Sequence, residues 1–299
     1  MIDWSQLIQQ TIAGLAAGGI YAILALALVL IHRATGVINF AQGEMAMFST
    51  YIAWSLLYTY DLRYLFAFVI TLATSFVGGA AIYGGIIRPL AKTGDIAVVI
   101  ATIALLITIN GLAGWLWSTE PRFIESPFPK SLITIRNVVI FEQDLWVAGV
   151  SIACVLVVFL IFRFTRTGLM MRAAAVRPAT SRLLGIRVTL MLALGWGLAA
   201  ALGAVAGMMA APPLTLDPNF MLTVLVYSFA AAVLGGLDSP GGAVLAAYIL
   251  GVGISLMSTY VDFVSQSPEF KLPIALGVLL LVLLVKPTGL FGKPVARRV

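Results

Sequence analysis

The sequence predicts an all-α polytopic membrane protein with about nine transmembrane helices, its glycine-rich interruptions allowing broken or re-entrant segments. Three observations carry this. Hydrophobic residues make up 61% of the chain and charged ones 10%, with a mean hydropathy of +1.06, whereas a soluble domain carries charge on about a quarter of its residues. Nine stretches lack Asp, Glu, Lys and Arg, most of them near the roughly 20 residues that cross a ~30 Å hydrocarbon core. Basic residues gather at the ends of these stretches rather than on one polar surface, so the formal charge of +6 and the pI near 9.6 point to membrane orientation, not to nucleic acid.

In chain order, the first run is Leu7 to His32. The preceding residues, MIDWSQLIQQ, have neither a basic n-region nor a small-residue cleavage site after a short apolar core, so this run is read as a retained span and not as a removable signal peptide. Met45 to Tyr60 is a short second run with Glu44 at its start, followed by Tyr64 to Ile87 and Ile96 to Thr119. Trp115 and Trp117 at the end of the fourth run fit an interfacial aromatic belt. Ser118 to Asp144, with Pro121, Pro127 and Pro129, is a long connection that serves either a partner or the chain path alone. Leu145 to Phe162 contains the single cysteine, Cys154, so no intramolecular disulfide forms and the thiol is read as a packing residue. Val188 to Leu216, Pro218 to Leu237, Ser239 to Val261 and Leu272 to Val285 complete the set, the last relying on Lys271 and Lys286 to extend toward water.

Charge sorts consistently over this layout. If the N-terminus and the loops at 61–63, 118–144, 212–218 and 259–271 lie outside, 5 of the 18 basic residues face outward and 13 inward, while 9 of the 12 acids, Asp3 among them, face outward. The positive-inside bias then places the N-terminus outside and the C-terminus inside, which requires an odd number of crossings. His32, beside Arg33 and with no acid near it, reads as interfacial rather than as a proton relay.

Three interruptions hold the chemistry. Gly36 to Glu44 joins the first two runs; Asn39 as N-cap with Gln42 three residues on has the capping-box spacing, and Glu44 suits the first helical turn. The same exposed helix start also suits a translocation path, since irregular backbone at membrane depth persists only inside protein or beside water. The second interruption, Leu234 to Gly242, holds Gly235, Gly236, Pro240, Gly241 and Gly242 and reads either as a turn or as a second pathway break. The third, Arg163 to Arg187, carries six arginines and no acid. Gly168 and Pro178 are placed to open two short surface helices and Gly185 to close the second with positive φ. On composition alone this segment is an anchor for anionic lipid headgroups.

Four stretches, in order, resemble permease subunits of ATP-binding-cassette importers of the LivH type, which take up branched-chain amino acids: Ile38 to Glu44; Arg172-Ala173 with Gly185-Ile186 thirteen residues after Arg172; Ala232 to Gly236 with Pro240 to Gly242; and Lys286 to Gly292. The likeness covers nearly the whole chain and implies a single transmembrane permease domain over residues 1–299 with the ABC importer permease fold. It implies that residues 163–187 form the cytoplasmic segment that docks on an ATPase, with Arg172, Ala173, Gly185 and Ile186 in the coupling surface. Asn39, Gln42, Glu44, Gly235 and Gly236 would then border the translocation pathway.

The implied partners are a second homologous permease, two cytoplasmic ATPase subunits, an extracytoplasmic solute-binding protein and membrane lipid, with residence in the cytoplasmic membrane. Relatives that move urea, short amides or aromatic acids leave the cargo open. No catalytic constellation, metal-ligand cluster or Walker A pattern is present in the sequence, so neither a cofactor nor a metal is expected and ATP hydrolysis belongs to separate subunits. An ion-coupled secondary transporter is the rival reading, with Glu44 and Asp238 as its only buried acid candidates; an integral membrane enzyme is a weaker one.

Overall fold

The computed structural model describes residues 4–135 and 138–292; Asp3, Arg136, Lys293, Arg297 and Arg298, which enter the totals of outward and inward charge, lie outside those residues. The chain opens with α1 (Trp4–Thr35), α2 (Gln42–Tyr58) and α3 (Tyr64–Ile82), which runs through a π-helical turn (Tyr83–Ile87) into α4 (Arg88–Leu90) and is followed by α5 (Asp95–Trp117). A hairpin of β1 (Leu132–Ile135) and β2 (Val138–Phe141) precedes α6 (Glu142–Phe164), α7 (Arg166–Val176) and α8 (Pro178–Leu183). The remainder is α9 (Val188–Leu214), α10 (Phe220–Gly235), α11 (Pro240–Tyr260), α12 (Asp262–Gln266) and α13 (Lys271–Val285).

Each of the nine apolar runs is helical, but they are not nine equal spans. Among the described residues, six helices are long and apolar enough to cross a membrane: α1, the continuous helix Tyr64–Leu90, α5, α6, α9 and α11. The other three, α2, α10 and α13, have 17, 16 and 15 residues. At ~1.5 Å per residue they reach roughly 22–26 Å, short of a ~30 Å core. Hydropathy reads where charge is absent, not where a helix starts, so it extends the second and seventh runs into turns.

The antiparallel hairpin β1–β2 pairs Leu132 with Phe141 and Ile133 with Ile140. It is absent from the sequence reading, although the β-branched content of Leu-Ile-Thr-Ile and Val-Val-Ile-Phe is the signal that points to it. The same connection holds a second surprise. Trp117 turns inward, donating from Nε1 to Ser55 Oγ at 2.7 Å and stacking on Tyr51 with ring centroids 5.1 Å apart. Trp115 keeps the outward position, 80% exposed.

The helices form two compact units. One comprises Ala27–Glu125 and Cys154–Leu222 and is organised on α9, whose face of small residues admits its neighbours closely. A Cβ on Gly79 of α3 would lie 2.6 Å from Trp196 O, one on Gly197 would lie 2.8 Å from Phe76 O, and one on Gly207 would lie 2.2 Å from Thr50 Oγ1. Lipid supplies no hydrophobic drive between helices, so contact through small residues and short polar bonds holds them. Ser75 Oγ donates to Ser49 Oγ at 2.7 Å and ties α3 to α2.

The other unit comprises Met1–Leu26, Ser126–Ala153 and Thr223–Val299. Its seam joins the first half of α1 to α11: a Cβ on Gly251 would meet Gly18 Cα at 2.4 Å and Gly14 O at 2.5 Å. Gly14 and Gly18 thus form a small-xxx-small pair, a signal available in the sequence. Ser255 Oγ reinforces the seam by donating to Gln10 O at 2.8 Å. In this unit the stretch after α13 folds back onto the α10–α11 turn. Leu290 N donates to Leu234 O at 2.7 Å and Phe291 N to Gly235 O at 3.2 Å, so the end of α10 receives its hydrogen-bond donors from this returning stretch. Gly289 makes the approach possible with φ +77°; a Cβ there would stand 2.5 Å from Val233 O and 2.7 Å from Gly236 N. Gly289→Ala is therefore expected to combine left-handed strain with a backbone clash and lower the thermal unfolding midpoint, whereas Gly277→Ala, with open space around its Cβ, leaves it unchanged or raises it.

Candidate functional site

The site nearest to expectation is built on the connection between α1 and α2. α1 ends at Thr35, Gly36 turns the chain with φ +76°, and Val37, Asn39 and Ala41 are buried. The N-cap of α2 is Ala41, not Asn39, and no side chain caps it. The capping box is thus replaced by another arrangement. Asn39 accepts the Ala41 N–H on Oδ1 at 3.1 Å and donates from Nδ2 to Gln42 Oε1 at 3.2 Å, with Met45 Sδ at 3.5 Å. Gln42, the first residue of α2, then donates from Nε2 to Ala199 O at 2.9 Å, in the middle part of α9. Gly203 leaves the space that this amide occupies, since a Cβ there would lie 2.9 Å from the Gln42 nitrogen. Asn39 and Gln42 are both fully buried, so the start of α2 is clamped to α9 by a two-amide relay in which every member has a partner.

Gln42→Leu is expected to leave the Asn39 amide short of an acceptor, a loss of roughly 1–3 kcal/mol for a buried polar group. Gln42→Glu retains the acceptor for Asn39 but sets a carboxylate oxygen against the Ala199 carbonyl. Thermal unfolding of the two purified variants checks this: both lie below wild type, and equal stability of all three would show that the relay carries no weight.

Glu44 belongs to a different cluster. It is 5% exposed, and its Oε2 accepts from Asn110 Nδ2 at 3.2 Å. The same Asn110 nitrogen lies 2.9 Å from Pro218 O and 3.2 Å from Asn219 Oδ1, which links α2, α5 and the start of α10. Asn110 and Asn219 are absent from the sequence reading. A lone asparagine within the apolar run of α5 is the signal that marks the first, since polar side chains in a span are rare and find partners.

The basic segment forms two short helices, as anticipated, with one change at its start. Thr165, not Gly168, sets the beginning of α7: its Oγ1 accepts from Gly168 N at 3.0 Å. Gly168 is needed for space, because a Cβ there would fall 2.2 Å from Ile161 O. Pro178 is the first residue of α8 and Gly185 closes the segment with φ +79°. Met171 and Ala174 of α7 pack with Val188 and Met191 of α9, flanked by Ile186. Arg172, Ala173 and Ile186 are half-buried and Gly185 is exposed. Around them Leu183 is 88% and Leu184 75% exposed. Gly235 and Gly236 lie in the unit that holds α10 and α11, with Gly236 at φ +98° under Gly292 and Thr288. Ser239 Oγ caps α11 by accepting from Gly242 N at 3.1 Å. Among the described residues, no three His, Cys, Asp or Glu side chains converge as metal ligands would.

The chain is 28% identical to the high-affinity branched-chain amino acid transport system permease protein LivH of Salmonella typhimurium, over 98% of this chain and 97% of that protein. It is 28% identical to BraD of Pseudomonas aeruginosa, over 98% of each chain, and 26% identical to the probable permease LivH of Methanocaldococcus jannaschii, over 90% of this chain and 88% of that one. A solved structure of PsaBC from Streptococcus pneumoniae in complex with Fab aligns with 95% of this chain and 91% of its own at 13% identity, with a TM-score of 0.47. Residues 10–283 match the family described as the permease component of the branched-chain amino acid transport system, and the chain belongs to that family.

Proposed function

We propose that the chain is the membrane subunit of an ATP-binding-cassette importer that moves branched-chain or related amino acids across the cytoplasmic membrane. It pairs with a second homologous permease, receives cargo from an extracytoplasmic binding protein and docks two ATPases on its inner face. The N-terminus lies outside and the C-terminus inside. Residues 163–187 are the docking segment of a single permease domain, and closure of the ATPases moves α7 and α8 against α9. Because α9 also carries the carbonyl gripped by Gln42, the displacement reaches the start of α2. Asn39, Gln42 and Glu44 there border the path, and Gly235 and Gly236 supply its second break.

The observation that carries the docking role is the pair Leu183 and Leu184, which stand 88% and 75% exposed beside Gly185 within a basic segment. Exposed apolar residues framed by charge mark contact surfaces. Affinity purification in mild detergent, followed by reconstitution, tests the assignment. ATP-dependent uptake of leucine, isoleucine or valine that requires co-purifying ATPases supports it. Uptake by the isolated chain under an ion gradient refutes it.

A further inference from the structure

A second feature of the basic segment faces inward. A cleft of about 50 Å³ lies between the end of α1, the end of α6, α7 and α9. Leu30, Phe162, Met171 and Met191 line its apolar part, and Arg33 and Arg172 line the rest. The nitrogen Arg172 Nε is shielded from solvent and has no hydrogen-bond partner. The whole stretch from Leu145 to Leu216 contains no acid that could neutralise it. Two guanidinium-bearing residues at the mouth of an apolar cleft, one with a buried donor unused, form a receptor for an anion attached to something greasy.

We propose that this cleft binds the phosphate of an anionic phospholipid, with Arg33 and Arg172 holding the headgroup and the acyl chains continuing along α1 and α9 into the bilayer. Arg33 lies in the last turn of α1, and Arg172 sits on the short helix α7 between the spans α6 and α9, which sets the cleft at the height of lipid phosphates. The volume suits a headgroup fragment rather than a whole lipid. A bound lipid there touches α7 and α9 together, so it reports on the same contact that the basic segment makes with the membrane domain. The lipid assignment stands on the membrane reading alone, whichever energy source drives transport.

The test is native mass spectrometry of the purified full chain with added phosphatidylglycerol, phosphatidylcholine or diacylglycerol, with inorganic phosphate as competitor. Wild type is expected to retain phosphatidylglycerol over diacylglycerol. The double variant R33Q/R172Q is expected to lose that retention by roughly tenfold, the scale of lost charge-assisted hydrogen bonds. Gly195 also lines the cleft, and a Cβ there makes only ordinary contacts, 3.6 Å from Met171 Cε and 3.9 Å from Ala34 Cβ. Gly195→Val therefore fills the cleft with both arginines in place and should also lose the lipid, while Arg187→Gln, in the same segment but outside the cleft, should keep it. Equal retention by all variants, an equal loss in Arg187→Gln, or displacement by millimolar inorganic phosphate would each overturn the proposal.

Discussion

Gly185→Trp abolishes uptake while the protein still inserts and folds: that is the expected result, and its logic lies in where the side chain goes. Gly185 has φ +79° and open space where a Cβ would stand, so a tryptophan points away from the protein and disturbs no internal packing. The left-handed backbone costs an L-residue about 1–2 kcal/mol locally, which the rest of the chain tolerates. The damage falls on whatever approaches Leu183, Leu184 and Gly185 from outside. Gly185→Asn separates strain from obstruction, because asparagine accepts the left-handed region with a small side chain; it should keep most uptake and most ATPase association. Co-purification and transport assays on both variants decide the matter, and normal transport by Gly185→Trp sinks the docking role.

Gly207→Leu is expected to be the most destabilising single change in the unit built on α9. A Cβ at 207 would lie 2.2 Å from Thr50 Oγ1 and 2.8 Å from Ala46 O. The first contact is with a side chain, but the second is with backbone, so α2 and α9 must move apart. Overpacking costs typically about 1–3 kcal/mol and more where backbone has to shift. Separation of these helices also stretches the Gln42 to Ala199 bond, so stability and uptake fall together. Gly207→Ala should be milder and partly rescued by Thr50→Ala, which removes the closer of the two clashes. Size-exclusion profiles and unfolding midpoints measure the series; an unaltered Gly207→Leu would contradict the packing described for α2.

Much of this architecture is legible in the residues. Absence of charge finds the apolar helices but not which of them are long enough to span, six rather than nine among the described residues, and the glycine and proline punctuation of residues 163–187 foretells two short helices closed by a left-handed Gly185. The interruption at Leu234 to Gly242 is equally visible as a break. What hydropathy does not show is which small residues meet. Gly14 and Gly18 show a small-xxx-small spacing in the sequence, but that they meet Gly251 shows only when α1 and α11 are laid together. The capping-box spacing at Asn39 and Gln42 is a true sign of a structured helix start but names the wrong cap, because the competing partner, the Ala199 carbonyl, is 157 residues away in the chain. Local pattern reads local bonds; a distant acceptor redirects them. Asn110 escapes for the same reason, its significance depending on Glu44 and Asn219 from other elements.

The fold-back of Leu290 and Phe291 onto the end of α10 has a bearing on biogenesis. Two carbonyls laid down early must wait for amides translated only after α13 has emerged, so during synthesis the α10–α11 corner remains open and wet.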